Sequence, residues 1–96
     1  MTEILSDERV EEALKELPGW RRDGSEIELV VELASFGQAI EVVVRVAGLA
    51  EAADHHPDID IRWRTLKFRL STHSAGGLTE KDFALAAQID EVFAAL

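Results

Sequence analysis

The chain of 96 residues has no cysteine, which excludes a disulfide framework and any thiolate metal site and agrees with a reducing compartment. Basic residues are scarce too. Ten lysines and arginines stand against 19 acids, and the net charge of −9 opposes phosphate backbones and anionic membranes, so neither nucleic acid nor a membrane surface is an expected partner. No stretch approaches the ~20 consecutive apolar residues of a membrane span. The N-terminal run MTEILSDERVEEAL has neither the basic start nor the apolar core of a secretion signal, which makes the expected location cytoplasmic. Internal repeats, linkers and low-complexity segments are absent as well, and the length fits a single domain over residues 1–96 with one modest two-layer core.

What is present reads as seven elements. Ser6 or Asp7 can cap a first helix with Val10, Ala13, Leu14 and Leu17 on its apolar stripe, stopped by Pro18 and Gly19. Trp20 to Arg22 and Glu26 to Leu33 read as two strands around an Asp23-Gly24 turn, with Ile27, Leu29, Val31 and Leu33 sharing one face. From Ser35 onward Val42, Val43, Val44 and Val46 favour a strand by propensity, but about 20 residues without a turn signal exceed an ordinary strand. Ser35 and Gln38 have capping-box spacing, so the expectation is a helix reaching about His55, with Pro57 turning His56 away from helical geometry. A third helix follows Thr79, whose spacing to Asp82 fits a capping box, and Leu85, Ile89, Val92 and Leu96 give it a core face. The fold class expected is α+β, order α-β-β-α-β-β-α: a two-layer sandwich of a four-stranded antiparallel sheet with helices on one face.

The stretch from Glu51 to Asp82 carries the chemistry. Ile59, Ile61 and Trp63 alternate with strand period, as do Leu66, Phe68 and Leu70, and the phase changes at Arg64 and Thr65. A two-residue loop there sets Trp63 opposite Leu66, Ile61 opposite Phe68 and Ile59 opposite Leu70, with Trp63 as a packing residue. Extended outward, this register brings His56 level with His73, so all three histidines of the chain gather at one end of one hairpin. Glu51 and His55, four apart, share a helical face on which the carboxylate can orient the imidazole, or form only a surface ion pair. Imidazole is suited to proton transfer near neutral pH because its unperturbed pKa is ~6.5.

The pattern Glu51, three residues, His55-His56-Pro57, five residues, Trp63, nine residues, His73, eight residues, Asp82 resembles the signature of the pterin-4a-carbinolamine dehydratase family. LPGW at Leu17 to Trp20 and LSTHSAGGLTEKDF from Leu70 extend the similarity over nearly the whole chain. The resemblance implies a lyase that dehydrates 4a-hydroxytetrahydropterin to quinonoid dihydropterin in tetrahydropterin recycling, without a metal or redox cofactor. It further implies that His55, His56 and His73 are the catalytic group, one acid and one base among them, with Glu51 in support. Thr72, Ser74 and Ala75 would line the substrate pocket beside His73, and Pro57 would shape it as a rigid helix stop. Asp82 matches the last motif position, although its capping role predicts an acid there without catalysis. Asp54 is either a pterin contact or a solvated acid near a helix end, and Trp20 either core or a pocket wall.

Two other readings compete. A metal-assisted hydrolase could use His55, His56, His73 and Asp54 or Glu51 as ligands. A binding module of the same fold is the other, because animal relatives serve as dimerisation cofactors of a homeodomain transcription factor. The second helix is polar mainly at Gln38, Glu41 and Arg45, so Val42, Val46, Leu49 and neighbouring alanines are expected to need cover from another subunit, in a tetramer by resemblance or otherwise a dimer. The resemblance also implies a functional link to an aromatic amino acid hydroxylase.

Overall fold

The computed structural model describes residues 3–96, which leaves the first two residues of the N-terminal run outside the described part. Its elements are α1 (Asp7–Leu14), β1 (Trp20–Asp23), β2 (Glu26–Glu32), α2 (Phe36–Ala53), β3 (Asp58–Arg62), β4 (Thr65–Leu70) and α3 (Glu80–Ala94). This is the α-β-β-α-β-β-α order read from the sequence. The strands form one antiparallel sheet in the order β1-β2-β4-β3, which leaves β1 and β3 at opposite edges.

One face of the sheet is apolar because the strands alternate: Ile27 and Leu29 on β2 and Leu66, Phe68 and Leu70 on β4 are all buried. Helix residues close over them, with Val10 from α1, Ala39, Val42 and Val46 from α2, and Leu85, Ala86 and Ile89 from α3 in the same cluster. Phe68 sits in the middle strand and meets Phe93 of α3 edge to face at 6.2 Å between ring centroids. The opposite face is open and charged. Across it run Arg21, Glu28, Arg69 and Asp58 in one register row.

Both hairpin turns lie one residue away from the expected position. Asp23 pairs with Glu26, so the first loop is Gly24-Ser25, and the positive φ of 63° falls on Gly24, where no Cβ opposes it. Arg62 pairs with Thr65, so the second loop is Trp63-Arg64, and Ile61 faces Leu66 while Ile59 faces Phe68. Trp63 is therefore not a packing residue: it occupies the turn at φ 53° and is 71% exposed. The Arg64 guanidinium covers its ring at 4.9 Å and also bonds the Leu33 carbonyl at 3.4 Å, while Glu32 holds it at 2.8 Å. The difference has a physical reason. Moving each loop by one residue shifts the cross-strand pairing by two, which keeps every side chain on its face, so hydrophobic alternation alone cannot separate the registers.

Helix α2 begins as expected, with Ser35 Oγ accepting from the Gln38 amide at 3.0 Å and Gln38 Oε1 accepting from the Ala34 amide at 2.9 Å. Its far end stops short of His55. Asp54 takes the left-handed conformation at φ 50°, and the Asp54 and His55 amides donate back to Glu51 and Ala50 carbonyls at 3.2 and 3.1 Å. That is the Schellman pattern, with an aspartate where glycine is usual. The buried stripe of α2 is Ala39, Val42, Val46 and Ala50, so Val42 and Val46 are covered within the chain and do not await a partner. The outward residues are Phe36 and Val44, the latter 66% exposed, with Ala47 and Gly48 beside them. At the end of α3, Leu96 lies beyond the helix and is exposed, whereas Leu85 and Ile89 are buried as expected.

Candidate active site

Asp82 is the buried centre of the site. Thr79 caps α3, and the capping-box spacing folds the Asp82 carboxylate back so that Oδ2 accepts from the Thr79 amide at 2.9 Å. The Thr72 hydroxyl donates to the same Oδ2 at 2.9 Å, and Oδ1 lies 2.6 Å from His55 Nε2. Three acceptor contacts suit an ionised carboxylate, which has no proton to give, and the first turn of α3 favours negative charge. His55 must then donate from Nε2. Its Nδ1 makes no hydrogen bond among the described residues, which leaves that nitrogen to take up or release a proton.

His55 reaches Asp82 because α2 ends at Ala53. Once Asp54 adopts the left-handed conformation, the chain turns out of the helix and His55 no longer shares a face with Glu51. Glu51 instead pairs with His56, Oε2 to Nε2. The expected Glu51 to His55 partnership is thus corrected to Glu51 with His56 and His55 with Asp82. The two pairs differ in exposure: the His55 and Asp82 side chains are 11% and 0% accessible, those of His56 and Glu51 55% and 76%.

His73 follows Thr72 directly, at the start of a loop closed by the Thr72 and Gly77 bridge, with the Thr72 amide donating to the Gly77 carbonyl at 3.0 Å. Gly76 in that loop has φ 82°, a conformation that suits glycine. His73 and Ser74 point outward and Ala75 is half-buried, while Thr72 faces in. The observed register, extended outward from Asp58 and Arg69, sets His56 level with Ser71 and not with His73; the loop with His73 is joined to His55 instead through Thr72 and Asp82, which brings the histidines to one end of the molecule. Pro57 is half-buried just before β3, and Asp54 is exposed at the helix exit.

Trp20 lies elsewhere. It is buried on edge strand β1, across the sheet from β3, and its Nε1 donates to Asp90 Oδ1 of α3 at 2.8 Å. Thr79 joins the site without having been read as more than a helix cap; its spacing to Asp82 was the signal. Hollows of about 180, 260 and 360 Å³ open on the charged sheet face around Asp58, Asp60, Lys67 and Val30, and no histidine lines them. The candidate site is therefore drawn around the histidines and not around these hollows. Among the described residues no group of three histidine or acidic side chains is arranged to hold a metal ion.

Comparison with known proteins bears on the chain as a whole. The model of the family described as pterin 4 alpha carbinolamine dehydratase matches residues 3–92. A candidate pterin-4-alpha-carbinolamine dehydratase of Nocardia farcinica is 62% identical over 91 residues, covering 95% of this chain and 96% of its own length. The crystal structure of a transcriptional coactivator/pterin dehydratase from Brucella melitensis superposes with a TM-score of 0.90 at 28% identity, covering 93% of this chain and 97% of that one. A pterin dehydratase-like protein described as a RuBisCO assembly factor of the alpha-carboxysome shares the fold at TM-score 0.66 and 23% identity, over 77% of this chain and 88% of its own.

Proposed function

The chain belongs to the pterin 4 alpha carbinolamine dehydratase family, and on that premise we propose that it dehydrates a 4a-hydroxytetrahydropterin to quinonoid dihydropterin and water. The observation that carries the proposal is His55 held through Nε2 by a buried carboxylate, with His56 and His73 at the same end of the fold. In the reaction the C4a–O bond breaks, the departing hydroxyl takes a proton to leave as water, and N5 loses its proton as the C4a–N5 double bond forms. Electrons and atoms balance without a redox partner. An imidazole supplies one proton and another removes one, each transfer contributing about 10² to 10⁴ in rate. A coupled assay following loss of the 4a-hydroxypterin tests the reading. Substitution of His55, His56 or His73 by alanine is expected to lower the rate substantially with the fold retained; wild-type rates in all three would refute it.

The exposed strip of α2 supports a second part of the reading, that copies of the chain assemble through this helix into a dimer or tetramer. The names of the Brucella and carboxysome relatives support a binding role for the fold, and here that role would use α2 and leave the histidines dispensable. A metal-dependent hydrolase is less well supported, since Asp82 and Glu51 are each engaged with a different histidine. A cytoplasmic location and a link to an aromatic amino acid hydroxylase complete the proposal; no helix of the described residues is long and apolar enough to cross a membrane.

A further inference from the structure

Thr72 was expected to line the substrate pocket, but its surroundings give it different work. The residue is 3% exposed, and Thr79 and Asp82, which its hydroxyl meets, are both 0% exposed. The proton directions along this group are fixed. Asp82 Oδ2 accepts from the Thr79 amide, so as a carboxylate oxygen it can only accept from Thr72 as well, at 2.9 Å. The single Thr72 proton is then engaged. At the 2.7 Å contact between the two threonines, Thr72 accepts and Thr79 donates, while Thr79 Oγ1 accepts from the Lys81 amide at 3.2 Å.

The donated protons therefore converge on Asp82, from Thr79 through Thr72 onto Oδ2 on one side and from His55 Nε2 onto Oδ1 on the other. The backbone holds both threonines. Thr79 is pinned by the start of α3 and Thr72 by its bridge to Gly77. Removing the Thr72 hydroxyl would leave Oδ2 with the Thr79 amide as its one remaining donor, and the carboxylate would be held less firmly against rotation about its Cβ–Cγ bond. The imidazole orientation depends on that carboxylate.

We propose that Thr72 is a positioning residue that acts through Asp82 to hold His55 as its Nε2–H tautomer, and that its hydroxyl makes no contact with the pterin. The inference rests on the dehydratase reading for its kinetic consequence alone. Thr72→Val, similar in shape, is expected to lower kcat about tenfold, the effect of one lost buried hydrogen bond, with KM within about twofold. Thr72→Ser is expected to restore kcat. Two-bond ¹H–¹⁵N correlation spectra of the side chain, which need no substrate, should show the Nε2–H pattern for His55 in wild type and a tautomer mixture in Thr72→Val. Wild-type kcat together with an unchanged His55 pattern would overturn the proposal, as would a tenfold rise in KM at constant kcat, which marks direct substrate contact. If the valine variant does not fold, the wild type still decides: a slowly exchanging Thr72 hydroxyl proton with an Nε2–H His55 is expected, and a rapidly exchanging one overturns it. A wild type without dehydratase activity would refute the functional reading while the spectra continued to test Thr72.

Discussion

His55 and His56 are neighbours in the chain, yet their partners place them in different electrostatic settings. The His55 contact is largely shielded from solvent and its partner Asp82 fully so, whereas Glu51 and His56 meet in water, where an ion pair contributes about 0 to 1 kcal/mol. Stability should therefore respond unequally. Replacing His55 by alanine removes a donor from a buried carboxylate and is expected to cost about 1–3 kcal/mol in urea unfolding, while Glu51→Gln should cost less than about 1 kcal/mol. Equal losses would contradict the burial difference. Asp82→Asn is the sharper test of catalysis, because an amide can present either a donor or an acceptor to Nε2 and no longer enforces one tautomer. A fall in dehydratase rate of about 10² is expected, the lower end of what one acid-base group supplies, and an unchanged rate would confine Asp82 to its capping role.

Among the elements, the exit of α2 does most to build the site. Asp54 at φ 50° ends the helix two residues before the first histidine, and this turn sends His55 toward α3 instead of back to Glu51. An aspartate tolerates the left-handed region better than most residues but less well than glycine. Asp54→Gly is thus expected to leave thermal stability unchanged or raise it by up to about 1 kcal/mol, and Asp54→Val to lower it by about 1–2 kcal/mol. If Asp54→Gly also keeps full activity, the aspartate serves the turn and not the substrate. The hairpins show the same dependence on single positions: Gly24 suits its loop, and Trp63 adopts a conformation rare for a bulky side chain, with Arg64 packed over it.

At the scale of the whole molecule, the helices cover one face of the sheet and leave two surfaces without cover, the charged outer sheet face and the outward strip of α2. The strip carries Phe36 and Val44, and apolar groups exposed in a row favour contact with another surface. Val44→Asp is expected to reduce the assembled mass in light scattering while the circular dichroism spectrum stays native, since that side chain already faces water in the single chain. Val46→Asp should behave differently. Val46 is fully buried, and an unpaired carboxylate there should unfold the protein outright. A wild type that stays monomeric at high micromolar concentration would refute the assembly.

The sequence alone determined the order of elements, the caps at Ser35 and Thr79 and the one-sided sheet, because these depend on local periods and on side chains within four residues of each other. It also carried the motif that joins His55, His56, His73 and Asp82. Strand register was not legible, since a shift of two preserves every face and only the conformation adopted at Gly24 and Trp63 separates the alternatives. Nor was the inward face of α2, where valines on three sides fit either orientation until the sheet and α3 select Val42 and Val46. The partner of His55 was decided by tertiary structure as well: Asp82 is 27 positions away, and the two meet because the left-handed turn at Asp54 and the first turn of α3 arrive at the same end of the sheet.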